Sequence, residues 1–410
     1  MDIRMNIHDL GYDYAIKYLN QQQDVGINHV AQALGYHGIS YDGIISNLES
    51  EKKSLSAKYE ISEVLLDELG TQGSEGHDQV YGSYYYTIES QTAFTAYLEL
   101  CQDMQKLYPN IITNLGISGG NYSAGNVECS TGPMKLGGLA FNGSRITIKG
   151  DAEIHSISKM KDEDDLLRVE GNLTVGAQSY SDPAADMTAG TVELCGDLTF
   201  YNYPYYNGGY NPQGTCKTVF CGEEMQNVLK TYSDRDVEES PLNLGNVEIQ
   251  CPDLNMSNLY SEKTLKLKLL SDTKLGETSK IVCGYLDLNG YQLETGGSVR
   301  VNSVLDMTGQ QKTIKCNTLS VETLILKGET KPLECNTFSA KKIALTGGAG
   351  EINSGKSNVD QLSYEKGRLT IKGDAEIHSI SKMKDEDDLL RVEGNLTVGA
   401  QSYSDPAAET

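Results

Sequence analysis

The chain has 410 residues and a formal net charge of -23, from 57 acidic and 34 basic side chains. Phosphate binding needs clustered Lys and Arg, so this balance excludes nucleic acid as a main partner. No apolar run approaches the roughly 18 residues of a bilayer span, so no transmembrane segment is expected. In chain order, residues 8–22, 26–36, 41–69 and 90–108 read as helices. Ile44, Ile45, Leu48, Leu55 and Tyr59 follow one helical face, as do Phe94, Tyr97, Leu98 and Cys101 behind a Ser90 N-cap. The N-terminus carries Asp2, Asp9 and Asp13 and no apolar leader core. These features predict a small α-rich domain over 1–112, suited to cap the open end of whatever follows. "INHVAQALGYHGISYDGIISNL" (Ile27–Leu48) has helix-turn-helix spacing, but residues 1–112 hold 16 acidic and 6 basic side chains. The positive footprint of a DNA-binding domain is missing.

From 113 onward the chain is repetitive. Arg145–Ala185 recurs as Arg368–Ala408 with one change, Ile146 to Leu369. A shorter period runs inside this: "LDLNG" at Leu286, "LDMTG" at Leu305, "LILKG" at Leu324 and "IALTG" at Ile343 start 19 residues apart. A fixed period near 20 marks a solenoid. Within each unit apolar residues alternate, as in Leu305 and Met307 or Leu324 and Leu326, and a Gly follows. That is a short strand with one buried face and a turn. The predicted fold class is therefore mainly β: a β-solenoid over 113–410 with rungs of about 19 residues, preceded by the α-rich domain. One rung cannot bury its apolar face alone, so rungs stack about 4.8 Å apart and their inward side chains form ladders. Spacing is looser between 145 and 260, which predicts rungs with inserted loops.

Residues that carry chemistry elsewhere read as structural here. Nine Cys include no CxxC pair, and Cys195, Cys283, Cys316 and Cys335 sit inside strand-like runs as small apolar side chains. "KMKDEDDLL" (Lys159–Leu167) reads as a solvated turn before a strand. Its spacing fits neither an EF-hand nor a glycine-rich calcium repeat. His155 and His378 occupy the same place in the two copies and read as rung or corner residues. No catalytic residue, cofactor or metal is expected. The most distinctive local feature is "YNYPYYNGGYNPQG" (Tyr201–Gly214). Tyr201, Tyr203, Tyr205, Tyr206 and Tyr210 make it either an interaction loop for glycans, protein partners or self-association, or a loop folded back over the solenoid. "YGSYYYT" (Tyr81–Thr87) invites the same two readings.

"KDEDDLLRVEGNLTVGAQSYSD", "MTAGTVELCGDLTF" and "YLDLNGYQLETGGSVRV" resemble the repeat units of large repetitive proteins of Gram-positive anaerobes. The resemblance covers about residues 140–300. It implies a β-solenoid, an extracellular or cell-surface location and a structural role, with no catalytic residues to carry over. "ITIKGDAEIHS" is also similar to bactofilins, polymerising β-helices of the bacterial cytoskeleton. The resulting expectation is a non-enzymatic structural or adhesive surface protein that assembles with itself head-to-tail into filaments. A bactofilin-like cytoplasmic scaffold and a glycan-binding or polysaccharide-processing β-helix are the alternatives. Further expected partners are a glycan or a surface protein.

Overall fold

A computed structural model describes residues 85–88, the helical residues 91, 94, 95, 97–99, 101 and 102, and then 116–176, 185–202, 209–232, 243–259, 263, 265–308 and 313–399. The expected helices at 8–22, 26–36 and 41–69 lie outside these residues, and with them most of the expected α-rich domain. The described chain is a β-solenoid of about 13 turns with rungs near 19 residues. It divides into two compact units, Met1–Gly196 with Tyr205–Gly209, and Asp197–Pro204 with Tyr210–Thr410.

In the first unit, two parallel ladders carry the core. Met134 pairs with Ala152 and Ala152 with Leu173, while Leu136 pairs with Ile154 and Ile154 with Val175. On the other ladder Cys129 pairs with Ile146, Ile146 with Leu167, and Leu167 with Val192. All of these side chains are buried. Each β-strand turns alternate side chains inward, so stacking in register places apolar residue on apolar residue. Burial of one such Leu or Ile contributes about 1.5–3 kcal/mol.

The solenoid begins earlier than the 19-residue period suggests. Tyr85–Ile88, expected to be part of a loop, is a strand that pairs in parallel with Gly116–Ser123. Residues expected in the helix 90–108 lie against the strand Gly116–Ser123 that it pairs with. Phe94, Tyr97, Leu98 and Cys101 are all buried, as their spacing predicts, and Phe94 stacks on Tyr122 at 5.0 Å. Gln91 acts as a strand edge: its Nε2 donates to the Ser123 carbonyl (2.7 Å) and its Oε1 accepts from the Ser123 N–H (2.8 Å). Gln102 Nε2 donates to the Glu128 carbonyl at 3.2 Å. The helical residues thus supply both an apolar cover and hydrogen-bond partners for backbone groups at the start of the sheet.

In the second unit the 19-residue period becomes a physical ladder. Leu267 pairs with Leu286, Leu286 with Leu305, Leu305 with Leu324, Leu324 with Ile343, and Ile343 with Leu362. All six are buried. A second ladder runs Val301, Val321, Ala340, Val359 and Ile377. The looser registers lie where the sequence predicts inserted loops, as where Leu166 pairs with Thr191 or Leu198 with Val228.

Acidic corners join one rung to the next. Asp151 Oδ1 accepts from the Asn172 N–H (2.7 Å), Asp197 Oδ1 from Asn227 (2.7 Å), Asp272 Oδ1 from Gln292 (2.8 Å) and Asp374 Oδ1 from Asn395 (2.8 Å). Each hydrogen bond satisfies a corner N–H that the sheet does not pair, and charge-assisted acceptors are the strong ones. Beside Asp151, Gly150, Gly171 and Gly196 stack so closely that a Cβ on Gly196 would lie 2.4 Å from the Gly171 carbonyl oxygen. Part of the chain's large acidic excess therefore sits at corners as structural acceptors.

Candidate functional site

The acidic run is built into the fold. Asp165 is buried. Its Oδ1 accepts from the Ser144 N–H (3.0 Å), and its Oδ2 accepts from the N–H groups of Lys161 and Asp162 (both 3.0 Å). The second copy repeats this: Asp388 accepts from Gly367, Lys384 and Asp385 at 3.0, 3.0 and 2.9 Å. The turn is solvated at Asp162, Glu163 and Asp164, as expected. Its fourth carboxylate is an internal cap for three backbone donors, a role the contiguous charges conceal.

The two histidines among the described residues pair with carboxylates. His155 Nε2 lies 3.3 Å from Glu153 Oε1, and Lys135 Nζ lies 3.1 Å from Glu153 Oε2. The hydrogen bond from His155, helped by Lys135, pulls the Glu153 carboxyl down to about 2. In the second copy His378 Nδ1 lies 3.1 Å from Asp360 Oδ1. Among the described residues no group of three or more His, Cys, Asp or Glu side chains is placed to hold a metal ion. No helix among them is long and apolar enough to cross a membrane.

Seven of the nine cysteines fill core positions. Cys316 pairs in register with Cys335 within the sheet. Burial pushes the Cys129 and Cys283 thiols up to about 12 and those of Cys251 and Cys335 up to about 11. Thiolate is the reactive form, so these groups are inert in the folded chain. Cys195 and Cys221 are only half-buried. A maleimide titration of the reduced native protein is expected to label these two first and the seven buried thiols only on unfolding.

The tyrosine-rich loop divides. Tyr203, Tyr205 and Tyr206, and the side chain of Tyr201, lie outside the described residues. Tyr210 is not available to a partner. It is buried, edge-on to Phe200 at 6.0 Å, and its hydroxyl lies 2.6 Å from Thr218 Oγ1. The residue before it, Gly209, accepts a hydrogen bond from the Ile157 N–H at 2.9 Å. At this end the segment returns to the sheet, because an aromatic ring with a satisfied hydroxyl is stable inside.

Two features answer to no internal need. The first is the rung Leu389–Val392 and Leu396–Val398. Leu389, Leu396 and Val398 are 45%, 46% and 46% exposed. Of their identical counterparts in the first copy, Leu173 and Val175 are buried and Leu166 is half-buried, with Thr191–Leu194 paired on Leu166–Val169.

The second is a lateral groove of about 670 Å³ in the second unit. One wall is a loop held by asparagines: Asn243 Nδ2 donates to the Pro212 carbonyl (2.6 Å) and Asn246 Nδ2 to the Gly214 carbonyl (2.8 Å). The floor is the outer face of the sheet, where Asn246 pairs with Lys268 and Lys268 with Asp287, while Lys266 pairs with Tyr285 and Tyr285 with Val304. Register shifts lie between Asn243 and Gly245, between Cys283 and Tyr285, and between Val301 and Val304. Bulges of this kind re-aim side chains. Tyr285 is 42% exposed, unusual for so large a side chain in this fold. Asp306 and Thr308 close the far end, with Asp306 Oδ1 accepting from the Thr308 N–H at 2.9 Å. Pattern reading misses this groove because its residues come from separate rungs and share only a register. Comparison with family models, with curated proteins and with solved structures gives no match to this chain.

Proposed function

We propose that this protein is a non-catalytic structural solenoid of the surface or extracellular type, and that it self-associates through its terminal rung. One observation carries the reading: Leu173 and Val175 are buried in the first copy, on a rung that a further strand covers at Leu166–Val169, while their copies Leu396 and Val398 are exposed. The first copy displays the chemistry that suits this face, namely another β-rung with inward aliphatic side chains. Among the described residues this parallel edge has no further strand beside it, and such an edge with Leu and Val at its surface is a template for pairing. Among the described residues, Asp165, Asp388, His155, His378 and seven buried thiols are bonded or packed into turns, corners and core, which supports a structural role.

Head-to-tail growth, the arrangement expected from the sequence, requires an open first rung as well. Here Phe94, Tyr97, Leu98 and Cys101 are buried, Phe94 against Tyr122, with Gln91 and Gln102 bonded to the Ser123 and Glu128 backbone. This helical cover at the start of the described sheet favours an isologous pairing, in which two copies meet through the same Leu389–Val398 rung. Light scattering across a wide concentration range is expected to show a dimer, and the pair Leu396→Asp with Val398→Asp is expected to give a monomer of unchanged circular dichroism. A wild-type monomer at every concentration would overturn the proposal. So would a monomer that the same pair of substitutions destabilises, since the chain's own residues would then cover this rung. Filaments in micrographs would restore the head-to-tail reading in place of the dimer.

A further inference from the structure

We infer that the lateral groove of the second unit is a binding site for an extended, hydroxyl-rich oligosaccharide. The inference is independent of self-association, since none of the groove residues belongs to the terminal rung. The groove's volume, about 670 Å³, falls within the range of small-ligand sites, roughly 300–1,000 Å³. Its floor crosses successive strands, and strands lie about 4.8 Å apart. A ligand lying across it therefore meets a new set of side chains at each step, which suits a polymer of similar repeating units.

The lining specifies the chemistry. Tyr285 offers an exposed ring as a platform for the apolar face of a sugar. Around it stand donors and acceptors of both kinds. Lys266 and Lys268 have no ion pair among the described residues. Asp287 and Asp306 each use Oδ1 on a backbone N–H two residues on, at 2.7 and 2.9 Å, which leaves Oδ2 with no partner among the described residues. A hydroxyl both donates and accepts, so a row of hydroxyls satisfies alternating ammonium and carboxylate groups that a ligand of one sign cannot. Phosphate-bearing polymers meet two carboxylates here and an overall charge of -23. A peptide strand would need an unpaired sheet edge, whereas the backbone of this floor is already paired on successive strands.

The wall is preformed. Asn243 and Asn246 fix the loop 212–214 against the sheet. Gly245, at φ +61, permits an approach in which a Cβ would lie 2.8 Å from the Pro212 carbonyl oxygen. A rigid wall lowers the entropic cost of binding.

The chain has no tryptophan, so Tyr285→Trp places a single indole in the groove. Cellohexaose, xylohexaose and chitohexaose, titrated to millimolar concentration, serve as probes. At least one is expected to shift the indole emission saturably. Calorimetry with that sugar on the otherwise native chain is expected to show at least tenfold weaker binding for Tyr285→Ala and for Asp306→Ala. Lys341→Ala, outside the groove, should bind as the native chain does. Because Tyr285 and Asp306 are exposed, an unchanged melting temperature for both variants confirms that the loss is one of contact. The inference fails if no probe shifts the emission, or if the affinity survives Tyr285→Ala unchanged.

Discussion

Asp165→Ala is expected to destabilise the first unit by on the order of 3 kcal/mol, and Asp388→Ala the second by well under half as much. The two aspartates sit in identical sequence and each accept three backbone N–H groups at about 3 Å. They differ in surroundings. Asp165 is buried and one of its donors, Ser144, is 0% exposed, whereas Asp388 is only half-buried, on a rung with an exposed face. A donor left unsatisfied in a dry site costs about 1–3 kcal/mol, while one that meets water costs little. Urea titration of each single variant against the native chain measures the difference, and Asp→Asn at both sites separates the carboxylate charge from its shape. Equal losses at the two sites would mean that the terminal rung is covered in solution. That makes the pair a check on self-association too.

The two copies also show what the sequence alone conveys. Spacing of 19 residues between Leu286, Leu305, Leu324 and Ile343 leads directly to the ladder, because a period and an alternation together determine which side chains can stack. The helical face Phe94, Tyr97, Leu98 and Cys101 was legible for the same reason. What was not legible depends on neighbours distant along the chain. Asp165 looks like its exposed neighbours, and only Ser144, on the rung below, makes it an internal acceptor. The corner aspartates at 151, 197, 272 and 374 carry a faint signal, an Asp within two residues of a strand-forming apolar residue, but their partners lie 20 to 30 residues away. Tyr210 shares its composition with the loop before it, yet Phe200 and Thr218 draw it inside. The groove is the extreme case: Tyr285, Lys268, Asp306 and Asn243 have no common motif and meet only through register.

Raising the pH is expected to weaken the second unit more than the first. The cause is the set of buried thiols in its core. Cys283 is pushed up to about 12 and Cys251 and Cys335 to about 11 from an ordinary 9.0, and burial raises Cys316 further still. Below 9.0 both folded and unfolded chains hold these protons, so no stability is lost. Above it the unfolded chain releases protons that the fold retains, and stability falls as pH rises towards the folded values. At pH 10 each thiol removes about 1.4 kcal/mol, so the four together remove on the order of 5 kcal/mol. The effect is testable with reductant present, by comparing urea midpoints at pH 8 and pH 10. Cys283→Ala should start from lower stability, because it leaves a small cavity, but lose less of it between the two pH values. An unchanged pH dependence in that variant would show that the thiol is not shielded from water. A shallower one would show that, in this solenoid, cysteine acts as an apolar core residue whose liability appears only when it is asked to ionise.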